Sequence, residues 1–367
     1  MLPLFGYGNY IIIVFICASG GLKMKLLVSA LEPSANLHLQ HLLKELPGVR
    51  INGIFDRRLG EPLYGMDEFS VMGIVDVLAK YFKGKEALHE MTALAAECDK
   101  VLLIDAPAFN IPLAKALKER YPKKEIIYYI LPKVWAWKKK RAKKVDLYCD
   151  RLASIFPFER KFYNRAEYVG NPLLDEIDIV RNIDEKKETV AFLPGSRKGE
   201  VTRLMPVFKA VAKELEGRRK LLVIPSFVTP EKVEEWYGDI SAFEVIYDTH
   251  EAVAQSSFAF VCSGTATLET ALIGTPFVLV YKARPIEYKI GRFFVKLPHV
   301  GLANIIMDFE GFPQLHLEIF QEDVTPENLL RHYETTDRDR FDAGSRALRE
   351  ILGYGSAQNV AKMILSV

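Results

Sequence analysis

A glycine-bearing bend, Leu193-Pro194-Gly195-Ser196-Arg197 followed by Glu200, joins an apolar run to a helical pattern. A helix that starts there leaves its first backbone N–H groups unpaired, and such groups favour an anion. Gly195 and Ser196 allow the main chain to come close, and the Arg197 guanidinium has the fork geometry that suits phosphate oxygens. A plain strand-to-helix turn with a solvated arginine fits the same residues. Ser263-Gly264-Thr265-Ala266-Thr267-Leu268-Glu269 repeats the arrangement after Phe258–Cys262. Ser263, Gly264 and Thr265 can surround a phosphate with amides and hydroxyls. Glu269, about one helical turn further on, can face the same ligand and suits the paired hydroxyls of a ribose. The competing account is an ordinary N-capping arrangement, with Thr265 at the helix start and Glu269 four residues later. Two phosphate-suited bends in one half of the chain point to a diphosphate.

The first half offers carboxylates. Asp105, in Ile104-Asp105-Ala106-Pro107-Ala108-Phe109-Asn110, ends an apolar run where a base could take a proton from a hydroxyl. It could equally cap a helix beginning at Pro112. Glu32-Pro33-Ser34-Ala35-Asn36-Leu37-His38 is a polar turn after the first strand; His38 is readable as a ligand-facing group or, taken alone and preferably, as a simple helix-surface residue. Two stretches look suited to a lipid boundary. One is the apolar run from Phe69 to Phe82, with Met72, Ile74, Val75 and Leu78. The other is Trp135 and Trp137 beside Lys138, Lys139, Lys140, Arg141, Lys143 and Lys144. A buried helix with a solvated basic face is the alternative.

The elements that must position these residues alternate β-branched runs with amphipathic helices, which predicts parallel α/β units. Expected strands in the first half are Lys25–Ser29, Ile51–Phe55, Val101–Asp105, Ile126–Ile130, Leu152–Ile155 and Tyr168–Val169, with helices such as Leu37–Leu46 and Pro112–Arg120 between them. In the second they are Thr189–Leu193, Lys220–Ile224, Phe243–Tyr247, Phe258–Cys262 and Phe277–Tyr281. The polar stretch 176–187 reads as a linker. The expected organisation is two Rossmann-like doubly wound domains, 24–178 and 188–335, with an interdomain cleft. C-terminal helices over 336–367 either return to the first domain or pair with a second chain as a homodimer. Ligands in such sheets bind beyond the carboxyl ends of the strands.

A chain of 367 residues has room for two cores. Its net charge of +2 argues against nucleic acid as a partner, although a basic patch is one place where nucleic acid could bind. Cys17, Cys98, Cys149 and Cys262 form no metal or disulfide spacing, as fits a reducing cytosol. The apolar run Tyr10–Ala18 is too short to span a bilayer, and no basic residue precedes it. Met24 is the expected start of the folded chain and 1–23 an extension without a folding role; an unusual membrane anchor is the alternative.

In order and spacing, these segments resemble the lipid-A-disaccharide synthases from Met24 nearly to the C-terminus. Further matching pieces are Val71-Met72-Gly73, Val134-Trp135-Ala136-Trp137, Phe156-Pro157-Phe158-Glu159, Gly170-x-Pro172, Leu302-x-Asn304 and Glu318-x-x-Gln321. Single pieces are weak signals; the ordered set is specific. The resemblance implies a GT-B fold and inverting transfer without a metal or other cofactor. It implies UDP-2,3-diacylglucosamine as donor and 2,3-diacylglucosamine 1-phosphate as acceptor, at the inner face of a bacterial inner membrane. It further implies Asp105 and Arg197 as catalytic residues. Glu32, Ser34, Asn110, Gly195, Ser196, Ser263, Gly264, Thr265, Glu269, Asn304, Glu318 and Gln321 would be substrate contacts. Ala35, Asn36, Ala108 and Asn171 depart from the family pattern, which usually has Gly, Asp, an acid and His there. From the residues alone, a transferase or epimerase acting on soluble UDP-N-acetylglucosamine, or a non-enzymatic membrane or nucleic-acid adaptor, stays open.

Overall fold

The protein is described by a computed structural model covering residues 24–70, 77–181, 188–284 and 297–366. The extension 1–23 and the expected membrane residues Met72, Ile74 and Val75 lie outside the described residues. Of Leu78, only the backbone is described, in the helix Val77–Leu94.

Near-continuous apolar runs form strands buried on both faces, as a parallel sheet covered by helices requires. The first sheet contains β1 (Lys25–Ser29), β2 (Arg50–Phe55), β3 (Tyr64–Gly65), β4 (Lys100–Ile104), β5 (Glu125–Tyr129), β6 (Arg151–Ser154) and β7 (Ala166–Tyr168). The second contains β8 (Thr189–Leu193), β9 (Arg219–Val223), β10 (Glu244–Ile246), β11 (Phe258–Cys262), β12 (Phe277–Tyr281) and β13 (Leu317–Phe320). Every pairing is parallel. The orders are β3-β2-β1-β4-β5-β6-β7 and β10-β9-β8-β11-β12-β13. In each sheet the order reverses once, between β1 and β4 and between β8 and β11, and ligands bind at such switch points. Fully buried Phe192, Phe208, Phe258 and Phe260 fill one side of the second sheet.

Most expected strands fall within a residue of their predicted ends. Two edge strands were not predicted: β3 has only two residues, and β13 alternates apolar with half-exposed positions. The helix expected at Pro112–Arg120 begins at Pro107 and runs through Pro112. The last helices divide between the halves. Arg338–Leu352 packs on Thr265–Ile273 in the second. Ser356–Leu365 crosses back to Pro33–Lys44 and Pro172–Glu176 in the first. There Asp175 accepts from the Gly355 and Ala357 amides at 2.7 and 3.2 Å, fixing the returning helix. Among the described residues, no helix is long and apolar enough to cross a membrane.

Candidate active site

The bend after β8 needs its glycine. Gly195 has φ +101°, and a Cβ there would lie 2.7 Å from Glu200 Oε2 and 3.1 Å from Cys262 Sγ. Helix Lys198–Glu214 then starts without a side-chain cap at Arg197. Arg197 is 81% exposed and donates to Glu200 Oε1 at 2.9 Å. The bend after β11 is built alike: helix Thr265–Ile273 starts at Gly264, again without a side-chain cap. Glu269 stands three residues after Ala266 and four after Thr265, so it does not complete a capping box at this helix start. Gly195, Ser196, Arg197, Ser263, Gly264, Thr265 and Glu269 instead line one cavity of about 350 Å³. Two helix starts without side-chain caps thus border that space, and the first N–H groups of a helix have no partner within it.

Sequence reasoning missed Glu200, Thr249 and Cys262, which share the lining. The Arg197–Glu200 spacing of three residues was the available signal for Glu200. Burial pushes the Cys262 thiol up to about 12, so it stays protonated. Burial also raises the Glu269 carboxyl; Glu176 and Asp248 push the same way, and His250, 3.9 Å off, opposes them.

At the other switch point the chain is strained. Asp105 and Ala106 are consecutive left-handed residues, at φ 48° and 40°. Several bonds hold this kink. Asp105 N donates to Tyr129 O at 3.0 Å, and Tyr128 Oη donates to Asp105 O at 2.6 Å. Asn110 Nδ2 donates to Asp105 O at 2.8 Å, while its Oδ1 accepts from Ser29 Oγ at 2.6 Å. Asp105 does not cap the following helix, whose first flanking residue is Ala106. Burial raises the Asp105 carboxyl above the ordinary range; Lys133, the Ala106 N–H and His38 oppose this. The Glu32 carboxyl is raised by burial and then by Asp105, against Lys133.

Asp105 and Glu32 do not line the nucleotide-sized cavity. His38 acts on Asp105, and His38 Nδ1 lies 2.5 Å from Glu176 Oε1. Glu176, near the end of the first half, acts in turn on Glu269. His38, readable from sequence as a surface residue, is thus largely buried and held by Glu176 within the first half.

A sequence model described as lipid-A-disaccharide synthetase matches residues 26–360. The chain belongs to the lipid-A-disaccharide synthetase family. It is 48% identical to the lipid-A-disaccharide synthase of Campylobacter jejuni strain RM1221, over 92% of this chain and 98% of that one. It is 48% identical to that of Helicobacter pylori strain Shi470, over 92% and 96%. Among solved structures it resembles a putative UDP-N-acetylglucosamine 2-epimerase from Listeria monocytogenes. The TM-score is 0.58 at 15% identity, covering 94% and 96% of the two chains. Acinetobacter baumannii MurG gives 0.58 at 15%, covering 93% and 98%. Those two likenesses concern the fold, which is GT-B. As a lipid-A-disaccharide synthetase family member, the chain is a glycosyltransferase of lipid A biosynthesis.

Several family motifs take positions other than those expected. Trp135, an expected membrane contact, is 6% exposed. It packs against Phe156, Phe158 and Phe309, and its Nε1 donates to the buried Glu159 at 3.2 Å. Phe309 comes from the second half and stacks on Phe158 at 4.2 Å, so this lipid-A-disaccharide synthetase motif holds the halves together. Trp137 is 48% exposed, with Lys138 Nζ 4.2 Å from its ring centre, and Lys139 and Lys140 are exposed.

Asn110, Asn304, Glu318 and Gln321, expected substrate contacts, have their polar atoms committed to the protein. Asn304 donates to His316 O and Glu318 Oε1 and accepts from the Leu315 and His316 amides. Glu318 also accepts from the Val300 and Gly301 amides. Gln321 pairs twice with the Ala283 backbone. These buried groups shape loops because burial without partners is costly.

Among the departures, Asn36 donates to Ala30 O and Glu32 O and accepts from Asp56 N at 2.7 Å. An aspartate could not make the two donations. Asn171 caps the helix Pro172–Glu176 and donates to Ile155 O.

Proposed function

We propose that the chain transfers the diacylglucosamine unit of UDP-2,3-diacylglucosamine to the 6-hydroxyl of 2,3-diacylglucosamine 1-phosphate, giving lipid A disaccharide 1-phosphate and UDP. One observation carries this reading: two uncapped helix starts, Arg197 and Glu269 meet in one cavity at the switch point of the second sheet, while a carboxylate raised by burial ends β4 at the switch point of the first. The second half, 188–335, would hold the donor. The amides of Gly195–Ser196 and Ser263–Thr265, with Arg197, hold the diphosphate, and Glu269 accepts from the ribose hydroxyls. The first half, 24–178, would receive the acceptor, with Glu32 and Ser34 at its turn.

Asp105 takes the proton of the acceptor 6-hydroxyl as that oxygen attacks the anomeric carbon. The C–O bond to UDP breaks from the opposite side, UDP leaves with the electron pair, and the centre inverts. The N–H groups and Arg197 meet the charge developing on UDP, and a single such donor is worth about 3–4 kcal/mol. A left-handed Asp105, held by Tyr128, Tyr129 and Asn110, supplies a base already oriented before the substrate arrives. Exposed Trp137 with Lys138, Lys139 and Lys140 fits an anionic bilayer surface, which supports a position on the cytoplasmic face of the inner membrane.

The test is direct. Purified protein with both diacylated sugars releases UDP one-for-one with a disaccharide 1-phosphate. Turnover of UDP-N-acetylglucosamine with no disaccharide from the lipid substrates overturns the assignment.

A further inference from the structure

The proposed acceptor brings a phosphate into a place that already holds two carboxylates, Asp105 and Glu32. An anion entering there is repelled unless a cation stands beside them. Arg197 belongs to the opposite cavity and is engaged with Glu200. Lys138 and Arg141 lie over the Trp137 ring. Lys133 is exposed and, among the described residues, makes no ion pair.

Its place is fixed by the backbone. Lys133 follows β5, the neighbour of β4, whose end carries Asp105. The chain turns there through Ile130, at φ 62°, and the buried Leu131. Tyr163 Oη donates to Pro132 O at 2.6 Å, and Val134 N donates to the same oxygen at 2.7 Å. Ala136 N donates to Lys133 O at 3.1 Å, and Val134 and Trp135 are buried on the far side. The main chain is clamped on both sides while the ammonium stays free, as a preorganised phosphate contact requires. Its charge favours the ionised carboxylates of Asp105 and Glu32, and of Glu159 as well, so the ammonium at this turn lies within electrostatic reach of all three.

We propose that Lys133 is the acceptor-phosphate contact, an ammonium at the β5 turn that pairs with the anomeric phosphate while Asp105 addresses the 6-hydroxyl at the other end of the same sugar. This rests on the acceptor assignment made above. Lys133 makes the site selective for a phosphorylated acceptor over its dephosphorylated analogue.

The experiment compares the full-length enzyme with Lys133→Gln and Lys133→Arg, using 2,3-diacylglucosamine with and without the 1-phosphate. The wild type is expected to prefer the phosphorylated acceptor in kcat/KM by about 10- to 100-fold, the range of a charge-assisted contact. Lys133→Gln loses that preference by lowering kcat/KM for the phosphorylated sugar alone, and Lys133→Arg keeps most of it. Three results overturn the proposal: equal losses on both acceptors, no loss on either, or a fall in sedimentation with phosphatidylglycerol vesicles that accounts for the whole effect. An acid limb of the pH profile that moves with both acceptors would mark Lys133 as acting only through Asp105 and overturn it too. If the wild type makes no disaccharide from either acceptor, the activity assignment itself fails, and the role of Lys133 falls with it.

Discussion

Arg197→Ala should separate chemistry from stability more cleanly than any other change in the site. The side chain is 81% exposed, and its one ion pair, with Glu200, spans three residues on a helix start. Such a pair is worth about 0.5 kcal/mol, which in a chain of this size moves Tm by about 2 °C at most. The same residue lines the cavity where, under the proposed function, the leaving diphosphate gathers charge. Removing one preorganised donor from such a position costs about 3–4 kcal/mol of transition-state stabilisation, a fall of about 100- to 1000-fold in kcat. The loss should be larger in kcat than in donor KM, because the helix-start amides still bind the ground-state diphosphate. Arg197→Lys restores charge without the fork and should recover only part of the rate. The assay is UDP release at saturating donor and acceptor, with thermal unfolding measured on the same preparations. A folded Arg197→Ala enzyme with kcat within about threefold of wild type would refute the role, since no effect worth 3–4 kcal/mol could be hidden there. A Tm fall well beyond 2 °C would show instead that the side chain is structural.

Asp105→Asn tolerates the left-handed φ and removes a partly buried charge, so Tm at pH 8 should hold or rise while kcat falls about 100- to 10,000-fold. Because burial raises this carboxyl, wild-type kcat/KM should decline on the acid side at a pH above its ordinary 3.8, and a decline confined below that value would count against Asp105 as base. Glu159, buried among Trp135, Phe156 and Phe158, has its carboxyl raised from 4.5 to about 7. The folded state therefore holds a proton that the unfolded state releases, and this contribution is full below pH 4.5 and lost as pH rises through about 7, amounting to about 3 kcal/mol. Glu159→Gln should remove that slope, so its Tm relative to wild type should climb from pH 4.5 and level off above about pH 7, as thermal scans across pH would show. Trp135→Ala should destabilise by about 3–5 kcal/mol in denaturant titrations, whereas Trp137→Ala should leave stability alone and weaken sedimentation with anionic vesicles.

The sequence determined the sheets and the bends after β8 and β11. Buried parallel strands are written as uninterrupted β-branched and aromatic runs, so Thr189–Leu193, Phe258–Cys262 and Phe277–Tyr281 are legible to the residue. The bend at Gly195 is legible because a left-handed φ against Glu200 and Cys262 admits only glycine. Edge strands carry half that signal, and β3 and β13 were lost for that reason. Tertiary structure alone decided which polar residues are free. Asn110, Asn304, Glu318 and Gln321 look like ligand groups in a motif, yet partners distant in sequence consume their hydrogen bonds. Trp135 and Trp137 stand two residues apart and read alike, but the arrival of Phe309 from the other half buries only the first. The pairing of His38 with Glu176 could not be foreseen either, because it joins residues 138 positions apart in the chain. Local pattern fixes backbone conformation, which depends on near neighbours; the availability of a side chain depends on what arrives from far along the chain.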